Sequence, residues 1–509
     1  MYKGLNQDNV FEKLLCFGFF PKFLSKIFTS ENFGKLVIRD SYNEIFEPQN
    51  HDFLVLPYKA TRNNNAPRYL SIPHPIAYLD LCKNISTNWI QITEAIGKDN
   101  PSYLSASMII PKVDNYARRL ISWESYEKSE EQDYLILNKQ QASKYRVYVD
   151  ISNFFGSVYS HSVPWALIGK EKAKLTQRSS GIWYNKLDKS IRRLKNNETN
   201  GLPIGPDSSN IISEIILSQI DRELTKKKYK YLRYVDDYKC FCGSKDEAEK
   251  FIKDISLQLE QYQLSLNVKK TRIVELPSNV GEQWLVKLRN FEIPSAVNKY
   301  KYGKIQNFFD LSVILSNNIG EYAPFKYAMK VVRGGVFEEY LSYKKIIIYI
   351  SNVLFVHPYM IDIFDDYLSK GFAKFSGKEY NDLLIFVQKF LDNMLTEHIP
   401  YGRSDVITLS LFMALKYDIE LRNFEDASNE IIALKDPIPS LLAFLYAKKN
   451  GLNLEKYFEL VNNIDQREWW LYVYELYRIN SSMHIAQYKN FYDFLIQNNI
   501  SFLNRLLVR

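Results

Sequence analysis

The sequence predicts an α+β fold over residues 1–285 and an all-α helical array over 286–509. Two patterns carry that division. Up to about residue 280, short β-branched and aromatic runs alternate with amphipathic stretches, as in a sheet covered by helices. Beyond about 295 one helical period follows another, punctuated by Gly334-Gly335, Pro400, Pro437-Ile438-Pro439 and Gly451, and the change falls near Pro277 to Pro294. A chain of 509 residues suits two or three domains at roughly 100 to 200 residues each.

Residues 144–150 alternate as a strand, with Tyr145, Val147 and Val149 on one face and Arg146, Tyr148 and Asp150 on the other. In 207–224, Ile211, Ile212, Ile215, Ile216 and Ile220 recur at helical spacing behind an Asp-Ser-Ser cap. Residues 229–235 and 238–242 read as two strands joined at Asp236-Asp237, a hairpin with carboxylates at its tip. A helix over 246–262 carries Phe251, Ile255 and Leu259 toward the core. Downstream, 382–396, 405–421, 440–449 and 468–479 are helices, with no repeat period that identifies a named solenoid. Asp365-Asp366 falls in a helix over 360–370, where the pair is expected on a solvated face.

Composition narrows the class. With 46% hydrophobic and 24% charged residues the chain is neither disordered nor collagen-like. Its 66 Lys and Arg against 58 Asp and Glu leave +8, which permits a polyanionic partner without requiring one. Cys16, Cys82, Cys240 and Cys242 show no CxxC spacing and the six histidines are scattered, so neither a zinc site nor a disulfide framework is expected. Asp8 and Glu12 before the short apolar stretch 14–20 argue against a signal peptide. The richest apolar run, 346–356, is broken by Ser351 and Asn352 and falls short of the ~18 residues that span a bilayer. The expectation is a soluble protein of a reducing cytoplasm, without a membrane.

Three segments bear chemistry. Tyr234-Val235-Asp236-Asp237 offers adjacent hard oxygen ligands at a tight turn. Asp150 ends a hydrophobic strand, and its carboxylate with those two can hold a pair of Mg²⁺ ions for phosphoryl transfer. Between them, the Gly/Pro loop Gly201-Leu202-Pro203-Ile204-Gly205-Pro206 feeds the 207–224 helix.

In this order the pieces resemble the reverse transcriptase family. Asp150-Ile151-Ser152-Asn153-Phe154-Phe155, Gly201 to Ser209, Tyr234 to Asp237 and Leu264 to Thr271 look like its motifs A, B, C and D, and Arg68 to Pro73 resembles its fingers motif. The resemblance covers roughly 55–280. It implies a palm and fingers with Asp150 and Asp236 as principal ligands of two Mg²⁺ ions, the Ile151 carbonyl completing a site, and Asp237 in support. It also implies a steric gate at Phe155, Gly205 beside the nucleotide, and Lys270 stabilising departing pyrophosphate. Arg68 is expected to grip the triphosphate, with Lys59 as a second candidate. One departure stands out: Ile204 occupies a position where templated members usually carry Gln.

A core of this kind joined to a long helical half is similar to the abortive-infection polymerases, an antiphage group of bacteria and prophages. The segment His398-Ile399-Pro400-Tyr401-Gly402-Arg403-Ser404-Asp405 also resembles that group. The similarity implies HEAT-like repeats, homo-oligomers, and template-independent DNA synthesis from dNTPs. It further implies priming on a protein hydroxyl, so that the single-stranded product is attached through one of the 37 tyrosines. The alternatives are a templated RNA-directed polymerase of retron or intron type, against which Ile204 argues, and a catalytically silent nucleic-acid scaffold, against which the three acids argue.

Overall fold

The computed structural model describes residues 5–22, 24–39, 53–97, 118–121, 130–278, 282–291, 302–337 and 339–504. Its β structure is two antiparallel sheets. Strands β1 (Leu56–Thr61) and β2 (Pro67–Ile72) form a two-stranded ribbon. Strands β3 (Tyr145–Asp150), β4 (Lys230–Tyr234), β5 (Asp237–Cys242) and β6 (Arg272–Glu275) form the second sheet in the order β4-β5-β3-β6. The predicted hairpin is therefore present, but its turn lies one residue earlier than expected: only Asp236 is at the tip, and Asp237 already belongs to β5. Tyr234 pairs with Asp237 across the two-residue turn Val235-Asp236, and β3 lies on the other side of β5 with Asp150 opposite Asp237.

Helix Asp207–Lys226 backs this sheet because its isoleucines share one stripe, and Ile211, Ile212, Ile215, Ile216 and Ile220 are all wholly buried. The expected Asp-Ser-Ser cap is not how the helix starts. Pro206 holds the cap position with φ −65°, and Asp207 is already helical. Its carboxylate instead takes Arg119, at 2.6 and 3.3 Å. Helix Lys245–Gln261 begins at Ser244, whose hydroxyl accepts the Glu247 amide proton at 3.2 Å, and buries Phe251, Ile255 and Leu259 as expected.

Among the described residues the regular elements of the second half are helices, including Gly377–His398, Ser404–Tyr417, Pro437–Lys449 and Trp470–Tyr477. The two prolines of 437–439 open a helix rather than interrupt one. The solvated-face reading of Asp365-Asp366 fails for Asp365. That residue is 3% exposed and is held by Lys416 at 2.7 Å and the Tyr417 hydroxyl at 2.7 Å, while Asp366 meets Arg333 at 2.9 Å. The neighbouring helix, which the local charge pattern does not reveal, supplies the compensating cation.

The halves are clasped near the chain ends and at the ribbon, among other contacts. Near the chain ends, Phe19 packs on Trp470 and Phe502, with ring centroids 6.0 and 6.1 Å apart, and the Thr29 amide donates to the Phe502 carbonyl at 2.8 Å. At the ribbon, the Thr61 amide and hydroxyl both donate to Asp405, each at 2.7 Å. The Gln283–Arg289 helix straddles the expected boundary and packs Trp284 on Tyr327 at 5.9 Å. The segment His398 to Asp405 is thus part of the junction. His398 is buried, and burial with the nearby Arg403 charge lowers its pKa to about 4.

Burial raises the Asp405 pKa from 3.8 to about 6 against the Thr61 bonds that lower it. The folded state then holds this proton more tightly than the unfolded chain, so stability falls as pH rises from about 4 through about 6. Thermal melts of the parent and Asp405→Asn across that range should show the variant gaining on the parent as pH climbs. A constant difference between them would contradict the assignment.

Candidate active site

The acids meet because the register puts them at one end of two paired strands. Asp150 is 7% exposed. Its backbone carbonyl accepts the Asn267 amide at 2.8 Å, its Oδ1 accepts from Asn267 Nδ2 at 2.9 Å, and its Oδ2 accepts from Lys270 Nζ at 2.7 Å. Segment 264–270 reaches this position by running beside the chain that follows β3. Ile151 bridges Leu266, and the Ser152 amide donates to the Ser265 carbonyl at 2.9 Å.

Asp236 sits in the turn, where Val235 has φ +54°. A β-branched side chain seldom adopts the left-handed region, so the turn is strained and needs support. Arg233 supplies it. Wholly buried, its guanidinium donates to the Val235 carbonyl at 2.9 Å, to both Glu214 oxygens at 2.8 Å, and to Asp221 at 2.8 and 2.9 Å. The planar donor fork thereby ties the turn to two positions of helix Asp207–Lys226. Sequence reading missed this group, although an Arg inside a strand and two acids seven residues apart on an apolar helix were its visible signal.

Electrostatics mark the acids as one cluster. Asp237 keeps a water-facing side, yet packing around its carboxyl and then the charges of Asp236 and Asp150 push it up to about 6. Burial also raises Asp236, with Asp150 adding to the rise while Lys270 and Arg68 oppose it. The bond to Asp150 raises Lys270 and keeps its ammonium charged. Burial and the neighbouring Arg62 lower Arg68, and Asp236 pulls it back up. Among the described residues no three acidic, His or Cys side chains form a ready cation cage. The donor chemistry nonetheless fits a divalent metal: hard carboxylate oxygens carrying mutual repulsion that a cation relieves.

The structure therefore pairs Asp150 with Asp237 and Lys270, puts Asp236 in the adjoining turn, and leaves Arg68 near enough for its charge to act on Asp236. Phe155 is half-buried beside Phe154, with ring centroids 5.3 Å apart, and its carbonyl accepts the Leu202 amide at 2.7 Å, which seats the Gly/Pro loop against the turn after β3. Ile204 accepts the Ser71 amide at 2.9 Å, joining that loop to β2. Gly205 has φ +138°, and a Cβ there would lie 2.5 Å from Pro21 Cγ, so backbone conformation and packing both call for glycine. Lys59 goes elsewhere. It faces buried Asp436 at 3.9 Å, on the helical half.

Residues 106–302 match the family model described as reverse transcriptase (RNA-dependent DNA polymerase). That span contains β3 to β6 and every acid of the cluster. No curated protein matches the chain. Among solved structures it is similar to apo telomerase from Candida tropicalis, with 14% identity, TM-score 0.34, and coverage of 73% of this chain and 68% of that one. It is also similar to telomerase from Candida albicans in complex with a fragment of telomeric RNA, with 12% identity, TM-score 0.28, and coverage of 72% and 68%. The chain carries a reverse transcriptase-type domain and is a nucleotidyltransferase of the polymerase kind.

Arg233→Met leaves Glu214 and Asp221 buried without their cation. It should cost about 3 to 5 kcal/mol of stability. Urea denaturation of parent and variant measures that loss, and a loss below about 1 kcal/mol would contradict the role given to Arg233.

Proposed function

We propose that this nucleotidyltransferase is a Mg²⁺-dependent DNA polymerase that starts synthesis on a protein tyrosine and extends it without copying a template, as a bacterial cytoplasmic antiphage enzyme of the abortive-infection type. The observation that carries the reading is the convergence of Asp150, Asp236 and Asp237 at one strand end, with Lys270 and Arg68 beside them.

Asp150 and Asp236 are the residues to hold the two cations, with the Ile151 carbonyl and Asp237 in support. Bound there, the ions supply a lowered pKa for the attacking hydroxyl and neutralisation of triphosphate charge. The remaining work belongs to side chains. Arg68 offers its planar fork to the phosphates of the dNTP. The attacking oxygen bonds to the α-phosphorus as the bond to pyrophosphate breaks, and Lys270, already charged and aimed at the cluster, gives the leaving group a proton. The ring of Phe155 excludes a 2′-hydroxyl.

Untemplated synthesis is supported by Ile204, an apolar side chain where templated relatives usually place an amide. The antiphage assignment is supported by the likeness of the whole arrangement to that group, a polymerase core clasped to a helical half through the His398 to Asp405 segment. A homo-oligomer is part of the same reading.

Purified protein incubated with radiolabelled dNTP and Mg²⁺, without nucleic acid, should become labelled on a tyrosine. Asp236→Asn and Asp150→Asn should cut labelling by roughly a thousandfold or more with unchanged circular dichroism. Normal labelling by either variant would sink the catalytic assignment, and labelling that requires an added template would sink the untemplated one. Phe155→Ala should raise ribonucleotide incorporation relative to deoxyribonucleotide; an unchanged ratio would remove Phe155 as the gate.

A further inference from the structure

A cavity of about 480 Å³ opens between the β1-β2 ribbon and the helical half. Arg68 lines it, whereas none of the three clustered acids does, although the charge of Asp236 acts on the same guanidinium. Beyond Arg68 the walls carry Arg62, Lys326 and Lys330. Against these four cations stand Asp362 and Asp405, and Asp405 already spends its carboxylate on Thr61. Lys326 reaches Asp362 only at 3.9 Å, while Arg62 and Lys330 have no ion pair among the described residues. The positive charge is in excess and crowded. Burial and then the charge of Lys330 lower the Lys326 pKa in spite of Asp362, and burial, Arg119 and then Lys330 lower that of Lys22.

Aromatic groups line the same space. Trp284 and Tyr327 meet edge to face at 5.9 Å, and Tyr359 stands beside Lys326, whose Nζ is 5.0 Å from its ring centroid. The Tyr359 hydroxyl is buried and has no hydrogen-bond partner among the described residues. Unneutralised cations beside flat aromatic faces are the arrangement that takes phosphate and base together.

We propose that this cavity is a second nucleotide site, separate from the acid cluster. It takes one phosphate-and-base unit, the base against Trp284 and Tyr327 and the phosphate among Arg62, Lys326 and Lys330. Two sources share that chemistry, a free dNTP and one residue of a single strand that has left the polymerising centre. That the unit is a deoxynucleotide rests on the polymerase reading above; the cationic and aromatic walls do not.

Equilibrium binding tests it without turnover. In an Asp236→Asn background, a short fluorescein-labelled oligodeoxythymidine and a fluorescent dATP analogue are titrated separately against the parent, Lys330→Gln and Trp284→Ala, each checked for fold by circular dichroism. Lys330 is exposed, so its replacement should leave folding intact. At least one probe should bind each variant about tenfold more weakly than the parent. For the oligonucleotide, Lys330→Gln should reduce the slope of log Kd against log salt by about one. Lys330→Arg and Trp284→Tyr should restore binding. Weakening confined to the oligonucleotide assigns the site to the strand, and weakening confined to the dATP analogue assigns it to free nucleotide. Failure of the parent to bind either probe, or equal binding of both probes by parent and variants, overturns the proposal. Because binding is read without catalysis, a failed incorporation experiment would defeat the polymerase reading and leave this measurement intact.

Discussion

Placing three carboxylates at the end of two paired strands costs energy, and the side chains around them are arranged to meet that cost. Hydrogen-bonded register alone brings Asp150 opposite Asp237. Burial, and then repulsion among the acids, raises the pKa values of Asp236 and Asp237. Lys270 and Asn267 hold Asp150, and the charge of Arg68 acts on Asp236. Arg233 acts from behind, where a single buried guanidinium fixes both the strained Val235 turn and the helix beneath it. A buried cation shared between two carboxylates is costly to break, which keeps the turn in place without help from solvent.

The helical half acts on this site through the ribbon. Asp405 caps the end of β1 by accepting two hydrogen bonds from Thr61, and helices Ser404–Tyr417 and Pro437–Lys449 pack beneath the same strand. Arg68 lies across from Ala60 on that ribbon, one residue from the capped end. Its position therefore depends on a clasp made by residues more than 330 positions away in sequence. The aromatic lock of Phe19 with Trp470 and Phe502 closes the other side, so that one hydrophobic core runs through both halves.

Much of the local structure was legible because it rests on periodicity and turn chemistry. The isoleucine stripe of 207–224 and the apolar positions of 246–262 predict helices whose ends move by only a few residues. The alternation of 144–150 predicts β3, but not the burial of Arg146, which lies 5.7 Å from the Phe241 ring and donates to Gln140 at 2.6 Å. The Asp-Ser-Ser cap was misread because an acid at a helix start has two good partners, its own backbone and a distant Arg, and Arg119 wins here. Asp365 was misread for the same kind of reason, since Lys416 and Tyr417 arrive from another helix.

By itself the sequence determined the identity and order of the acidic segments, the strand and helix periods that carry them, and the change from mixed to helical composition. These follow from side-chain chemistry and local geometry, which neighbours in the chain already define. Only the tertiary structure decided which cations meet which acids. It put Lys270 on Asp150, sent Lys59 toward Asp436, buried Arg233 between Glu214 and Asp221, and left the cations around the cavity in excess. A charge can be paired by any element that packs against it, and no run of adjacent residues specifies which one does.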